Sequence, residues 1–86
     1  MITPPDNSSL YKSPEGSQEV MAHYDAAWEG MGVPYEATYV ETRFGPTHTV
    51  ISGEANGRAL VLWHGLNANS TTWVKWTPAL ARTYRI

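Results

Sequence analysis

Leu62-Trp63-His64-Gly65-Leu66-Asn67-Ala68-Asn69-Ser70-Thr71-Thr72-Trp73 is the stretch that decides how this chain folds. It begins inside Ala59-Leu60-Val61-Leu62-Trp63, the longest uninterrupted apolar run of the sequence. A run that is apolar at every position, rather than at every second one, predicts a strand buried on both faces, as in a parallel sheet covered by helices. Gly65 then allows a sharp turn at the strand's carboxyl end, where open α/β sheets gather their ligands. Backbone N–H groups beyond the strand end have no ladder partner and are free to converge on one point, which is what a tetrahedral oxyanion needs. The same residues also read as a plain strand-to-helix connection, with a glycine for turning and no further role.

Upstream of that run the pattern alternates. Tyr35, Ala37 and Tyr39 interleave with Glu36, Thr38 and Val40, and Thr47 to Ser52 is again rich in β-branched residues. With only Gly45-Pro46 as punctuation between them, the two segments predict an antiparallel hairpin. Asn56-Gly57 marks the turn that leads into the apolar run. Further back, Ser13-Pro14-Glu15 combines an N-cap, a proline at the first helical position and an acid in the first turn. Val20, Met21, Tyr24, Ala27, Trp28 and Met31 follow at helical spacing, and Gly30, Gly32 and Pro34 close the helix. A Met and aromatic stripe of this kind is packing surface. Residues 1–13 lack periodicity and predict a flexible leader.

Downstream, Thr71 or Thr72 is placed to cap a second helix through about Ala81, with Trp73, Trp76 and Leu80 on one side and Pro78 breaking or shortening it. Arg82-Thr83-Tyr84-Arg85-Ile86 predicts the start of another strand. The order is helix, hairpin, buried third strand, loop, helix and start of a fourth strand. It defines an α/β class with one domain over residues 14–86, incomplete at its C-terminus.

Composition narrows the function. The 86 residues carry six Lys and Arg against eight Asp and Glu, a net charge of −2, which argues against nucleic-acid binding. No cysteine is present, so thiolate nucleophiles, disulfides and Cys-ligated zinc are excluded together. His23, His48 and His64 lie too far apart in sequence for a metal motif, the carboxylates are scattered, and no phosphate-binding glycine motif occurs. No metal or cofactor is expected. With no signal-like segment and no run long enough to span a bilayer, the chain is expected to be cytoplasmic and free of the membrane.

With these residues laid out, the chain resembles the N-terminal part of an α/β-hydrolase. The resemblance rests on Val61-Leu62-Trp63-His64-Gly65-Leu66, the downstream Trp73 and the order of elements. Thr42-Arg43-Phe44-Gly45-Pro46-Thr47-His48, Ile51-Ser52-Gly53 and Ala59 to Gly65 narrow it to bacterial carboxylesterases similar to naproxen esterase, over roughly residues 11–86. That resemblance implies a serine hydrolase acting on a small-molecule carboxylic ester. The backbone N–H of Leu66 would be an oxyanion donor, His64 and Gly65 would shape its loop, and Asn67 and Asn69 would line the pocket or cap the next helix. It also implies that the fourth strand inserts between the second and third. The family's nucleophile stands in a G-x-S-x-G elbow, followed by its acid and histidine, and none of the three is found in this chain. These 86 residues are therefore expected to be inactive alone. Other chemistries of the superfamily, epoxide hydrolase or haloperoxidase, stay open, as does a small stand-alone binding protein using Trp63, Trp73 and Trp76 as an aromatic surface.

Overall fold

A computed structural model describes residues 4–6 and 8–86. Of the leader, residues 1–3 and 7 lie outside the described residues, and Ser8–Leu10 form a 3-10 turn. Helix α1 spans Pro14–Glu29. Its cap is the one the sequence predicts: extended Ser13 accepts the Gly16 N–H on Oγ at 3.0 Å. This satisfies one of the donors that a helix N-terminus leaves open. The helix stops where Gly30 returns its N–H to the Ala26 carbonyl, and Gly32 follows with φ of 92°. Of the predicted apolar stripe, only the C-terminal half is covered. Val20 and Met21 are exposed, Tyr24 and Ala27 are half-buried, and Trp28 is 5% exposed. Trp28 is the one buried apolar side chain among the described residues, and its ring packs against Tyr35 at 5.6 Å between centroids.

Strands β1 (Tyr35–Thr42) and β2 (Gly45–Ser52) form the expected antiparallel hairpin, in register from Tyr35 opposite Ser52 to Thr42 opposite Gly45. Thr42 holds its turn: Oγ1 donates to the Gly45 carbonyl at 2.8 Å and accepts the Phe44 N–H at 3.1 Å. Gly45 has φ of 109°, a conformation that costs glycine little. At the other end, buried Ser52 donates to the Pro34 carbonyl at 2.7 Å, which ties the hairpin to the segment leaving α1.

The second sheet is small. Strand β3 (Arg58–Ala59) pairs in parallel with β4 (Tyr84–Arg85), and Leu60 N–H adds a bond to the Arg85 carbonyl at 2.8 Å. On its other side the same terminal segment meets β2. Ser52 and Ile86 exchange two backbone bonds of 3.0 and 2.8 Å, and Glu54 N–H donates to Tyr84 at 3.1 Å. The fourth strand thus sits between the second and third. Two glycines make room for it: a Cβ on Gly53 would collide with the Tyr84 carbonyl oxygen, and one on Gly57 would stand 2.6 Å from that of Thr83.

Two elements depart from the sequence reading. The third strand does not run buried through Ala59–Trp63: its ladder ends at Ala59, and Val61 and Trp63 are 76% and 84% exposed. A ladder reaches only as far as its partner, and β4 offers two residues to pair with. The second helix is also not continuous from Thr71 or Thr72. A 3-10 turn at Ser70–Trp73, capped by Asn69, is followed by a single helical turn, α2 (Thr77–Leu80). Pro78 is tolerated because it falls in the first turn of α2, where no intrahelical N–H is missed.

Candidate functional site

The loop predicted to carry function leaves β3 as an extended segment, Leu60 to Gly65, without ladder partners beyond Leu60. Gly65 to Ala68 then forms a turn closed by Ala68 N–H to the Gly65 carbonyl at 3.2 Å. Asn67, the third residue of that turn, has φ of 61° and is the sole non-glycine residue with positive φ among the described residues. Asparagine is one of the few side chains that accept this region, and the third turn position is where it is required. Positive φ at that place turns the chain back on itself and leaves Leu66 at the tip, 95% exposed. Among the described residues, no hydrogen bond is donated by the Leu66 backbone N–H.

His64 is exposed, and its Nδ1 lies 3.0 Å from the Gly65 carbonyl oxygen, which it reaches only as the Nδ1–H tautomer. That contact folds the imidazole back on its own loop. Asn69 closes the loop with Oδ1, which accepts from Thr71 N–H at 2.9 Å and from Thr71 Oγ1. Asn67 and Asn69 thus do different work, one in a turn and one in a cap. Among the described residues neither hydrogen-bonds to His64, Gly65 or Leu66, and Leu66 stands open to solvent rather than in a formed pocket. A concave groove lies elsewhere, between Val33-Pro34, Ser52 to Glu54 and Pro78 to Arg82.

A cluster outside that reading fixes the far end of the loop. Ser70 Oγ stands 2.6 Å from Tyr24 Oη and accepts Trp28 Nε1–H at 3.2 Å. Tyr24 Oη in turn lies 3.1 Å from His48 Nδ1, and His48 packs edge-on against Tyr24 and Tyr39 at 5.6 and 5.2 Å. The sequence held half of this signal. Tyr24 and Trp28 are one helical turn apart, and Tyr39 and His48 are cross-strand partners in the hairpin register. Nothing in the order of residues, however, tells that Ser70 meets them. In contrast, Trp73 Nε1 is shielded from solvent without a partner.

This arrangement has a counterpart among solved structures. It superposes on the crystal structure of naproxen esterase (carboxylesterase NP) from Bacillus subtilis with a TM-score of 0.75 at 31% identity, over 87% of this chain and 26% of that one. The chain resembles part of an α/β-hydrolase carboxylesterase. Two curated Bacillus subtilis (strain 168) proteins agree with that likeness. Carboxylesterase YbfK is 33% identical over 67 residues, 78% of this chain and 23% of its own length. The uncharacterized carboxylesterase nap is 36% identical over 63 residues, 70% of this chain and 21% of its own. No family model matches. The chain therefore spans about a quarter of the length of the esterases it matches. The partial sheet and its order, with β4 inside, follow the α/β-hydrolase fold. Among the described residues no helix is long and apolar enough to cross a membrane.

Proposed function

We propose that this chain is the amino-terminal portion of a carboxylic-ester hydrolase and contributes the oxyanion loop His64-Gly65-Leu66. The observation that carries the proposal is the unpartnered Leu66 N–H at the tip of a turn, beyond the carboxyl end of a parallel strand, in a fold resembling naproxen esterase. In this reading a serine outside these residues attacks the carbonyl carbon of a small-molecule ester, and a histidine held by an acid takes the serine proton. The carbonyl oxygen becomes an oxyanion, and Leu66 N–H donates to it. Gly65 and Asn67 set the turn that presents the N–H, and His64 braces it through the Gly65 carbonyl. Because no G-x-S-x-G elbow occurs in the sequence, the 86 residues hydrolyse no ester by themselves.

The test is a hybrid in which residues 11–86 replace the matched segment of the Bacillus subtilis naproxen esterase. The hybrid hydrolyses p-nitrophenyl butyrate, and the 86-residue chain does not. Leu66→Pro removes the N–H, yet proline suits the second position of a turn whose third residue has positive φ. It is expected to lower kcat by about 10²–10³-fold with KM little changed. A folded Leu66→Pro hybrid of undiminished kcat rejects the assignment.

A second reading is favoured by exposure. Trp63 and Trp76 are 84% and 58% exposed, so an aromatic docking face for a protein partner is the alternative. An inactive but folded hybrid supports it.

A further inference from the structure

Ser70 is the first residue after the loop, and it is the point where the polar groups of two other elements converge. Tyr24 and Trp28 reach it from α1, and His48 of β2 backs Tyr24. The Trp28 contact has a fixed direction, and the directions of the other two follow from the His48 tautomer. Trp28 Nε1–H can only donate, so Ser70 Oγ accepts it. With His48 neutral and its Nδ1 unprotonated, Tyr24 O–H donates to His48, and Ser70 O–H donates to Tyr24. Every proton then has an acceptor, and Ser70 Oγ is held by two partners on one helix face. A serine hydroxyl fixed from both sides has no freedom left about χ1, and its backbone is fixed with it.

The rest of the loop is held lightly. Among the described residues, the only hydrogen bonds made from Val61 to Ala68 are the Gly65–Ala68 turn and the His64 side chain on Gly65. Its upstream anchor is Leu60 N–H on Arg85, and its downstream anchor is the Asn69 cap with Ser70. The Asn69 cap is local: it shapes the 3-10 turn but does not tie it to the body of the protein. Among the described residues, Ser70 is the one side chain of this stretch that hydrogen-bonds to α1 or the hairpin, since Trp73 Nε1 has no hydrogen-bond partner and Thr77 bonds back to Trp73 within its own segment.

We infer that Ser70 is a positioning residue for the oxyanion loop, setting through Tyr24 and Trp28 where the Leu66 N–H stands relative to the sheet. This rests on the carboxylesterase reading above. The position of an oxyanion donor matters steeply, because a displacement of about 1 Å can cost on the order of 100-fold in rate. The loop could not keep its place through its own turn, which fixes shape but not location.

The test has two arms. In the 86-residue chain, ¹⁵N relaxation reads the loop without any reaction. Ser70→Ala is expected to lower the order parameters of the Leu66 and Asn67 amides toward about 0.6 from the ordered range near 0.85, and to shift the Trp28 indole resonance. The α1 and hairpin amides stay where they were, and Ser70→Thr, which keeps the hydroxyl, restores the loop. Unchanged loop amides in Ser70→Ala overturn the inference, and so does a spectrum altered throughout α1 and the hairpin, which would make Ser70 a general stabilising contact. In the esterase hybrid, Ser70→Ala is expected to lower kcat about 10- to 100-fold at unchanged KM, with Ser70→Thr close to wild type. Full kcat for Ser70→Ala beside a crippled Leu66→Pro overturns the inference and leaves the carboxylesterase reading standing. Full kcat for Leu66→Pro overturns that reading itself.

Discussion

Gly53 lies against Tyr84 so closely that any side chain at position 53 would displace β4: its φ is 97°, and a Cβ there would run into the Tyr84 carbonyl oxygen and stand 3.2 Å from the Ala81 Cα. Two costs therefore add at one residue, backbone strain and a backbone collision that no rotamer relieves. Gly53→Ala is expected to destabilise the chain by more than the roughly 1–3 kcal/mol of a strained φ alone. Hydrogen exchange checks it, with the Ser52, Glu54 and Ile86 amides losing protection first, because those bonds hold β4 between β2 and β3. Gly32 is the control. Its φ of 92° is similar but nothing lies within 4 Å of its Cβ position, so Gly32→Ala is expected to carry the strain without the collision.

Ser13 gives a smaller, cleaner effect. Its Oγ accepts the Gly16 N–H at 3.0 Å, and the Ser13→Ala chain loses that bond while the orphan donor remains. The expected loss is about 1 kcal/mol, read as a lower midpoint in urea and reduced helical circular dichroism. Ser13→Asp is expected to hold or raise stability, since a carboxylate caps equally well and faces the positive end of the helix. Equal midpoints for Ser13→Ala and wild type would mean that the cap contributes nothing.

Two tryptophans should answer differently to the same substitution. Trp28 Nε1–H reaches Ser70, whereas Trp73 Nε1 is shielded and unpaired. Replacing either by Phe removes volume, but only at position 28 is a hydrogen bond lost and Ser70 left short of a donor. At position 73 the change removes a donor whose desolvation nothing offsets. Trp28→Phe is therefore expected to cost about 1 kcal/mol more than Trp73→Phe in matched urea titrations. The reverse order would assign a partner to the Trp73 indole.

What the sequence disclosed depended on how local the cause was. Ser13, Pro14 and Gly30 mark the ends of α1 because capping is settled within a turn of chain, and the alternation from Tyr35 to Ser52 sets the hairpin because its register follows from a short connection. Gly65 marks the turn at Gly65 to Ala68 in the sequence, whereas the positive φ of Asn67 leaves no mark of its own there. The reading failed where the cause is non-local. Ala59 to Trp63 has the composition of a buried strand, yet pairing ends with the two residues of β4, so Val61 and Trp63 face solvent. Ser70 looks like loop filler in sequence, and it becomes an anchor only when α1 brings Tyr24 and Trp28 to it.

Those exposed residues define the last prediction. Val61, Trp63 and Leu66 are 76%, 84% and 95% exposed along one segment whose backbone beyond Leu60 pairs with no strand among the described residues. An extended, apolar and unpaired segment is a template for adding another chain edge to edge, and nothing charged lies between Ala59 and His64 to prevent it. The 86-residue chain is therefore expected to self-associate as its concentration rises, which sedimentation equilibrium measures. Trp63→Lys places a charge in the middle of that segment and is expected to shift the equilibrium to monomer by about tenfold or more in dissociation constant. Phe44→Lys serves as the control, because Phe44 is equally exposed at 86% but sits on the tight hairpin turn, where the backbone is already committed. Its dissociation constant should stay near wild type. If both substitutions release the monomer equally, association is driven by general surface hydrophobicity and not by the free edge at Val61 to Gly65.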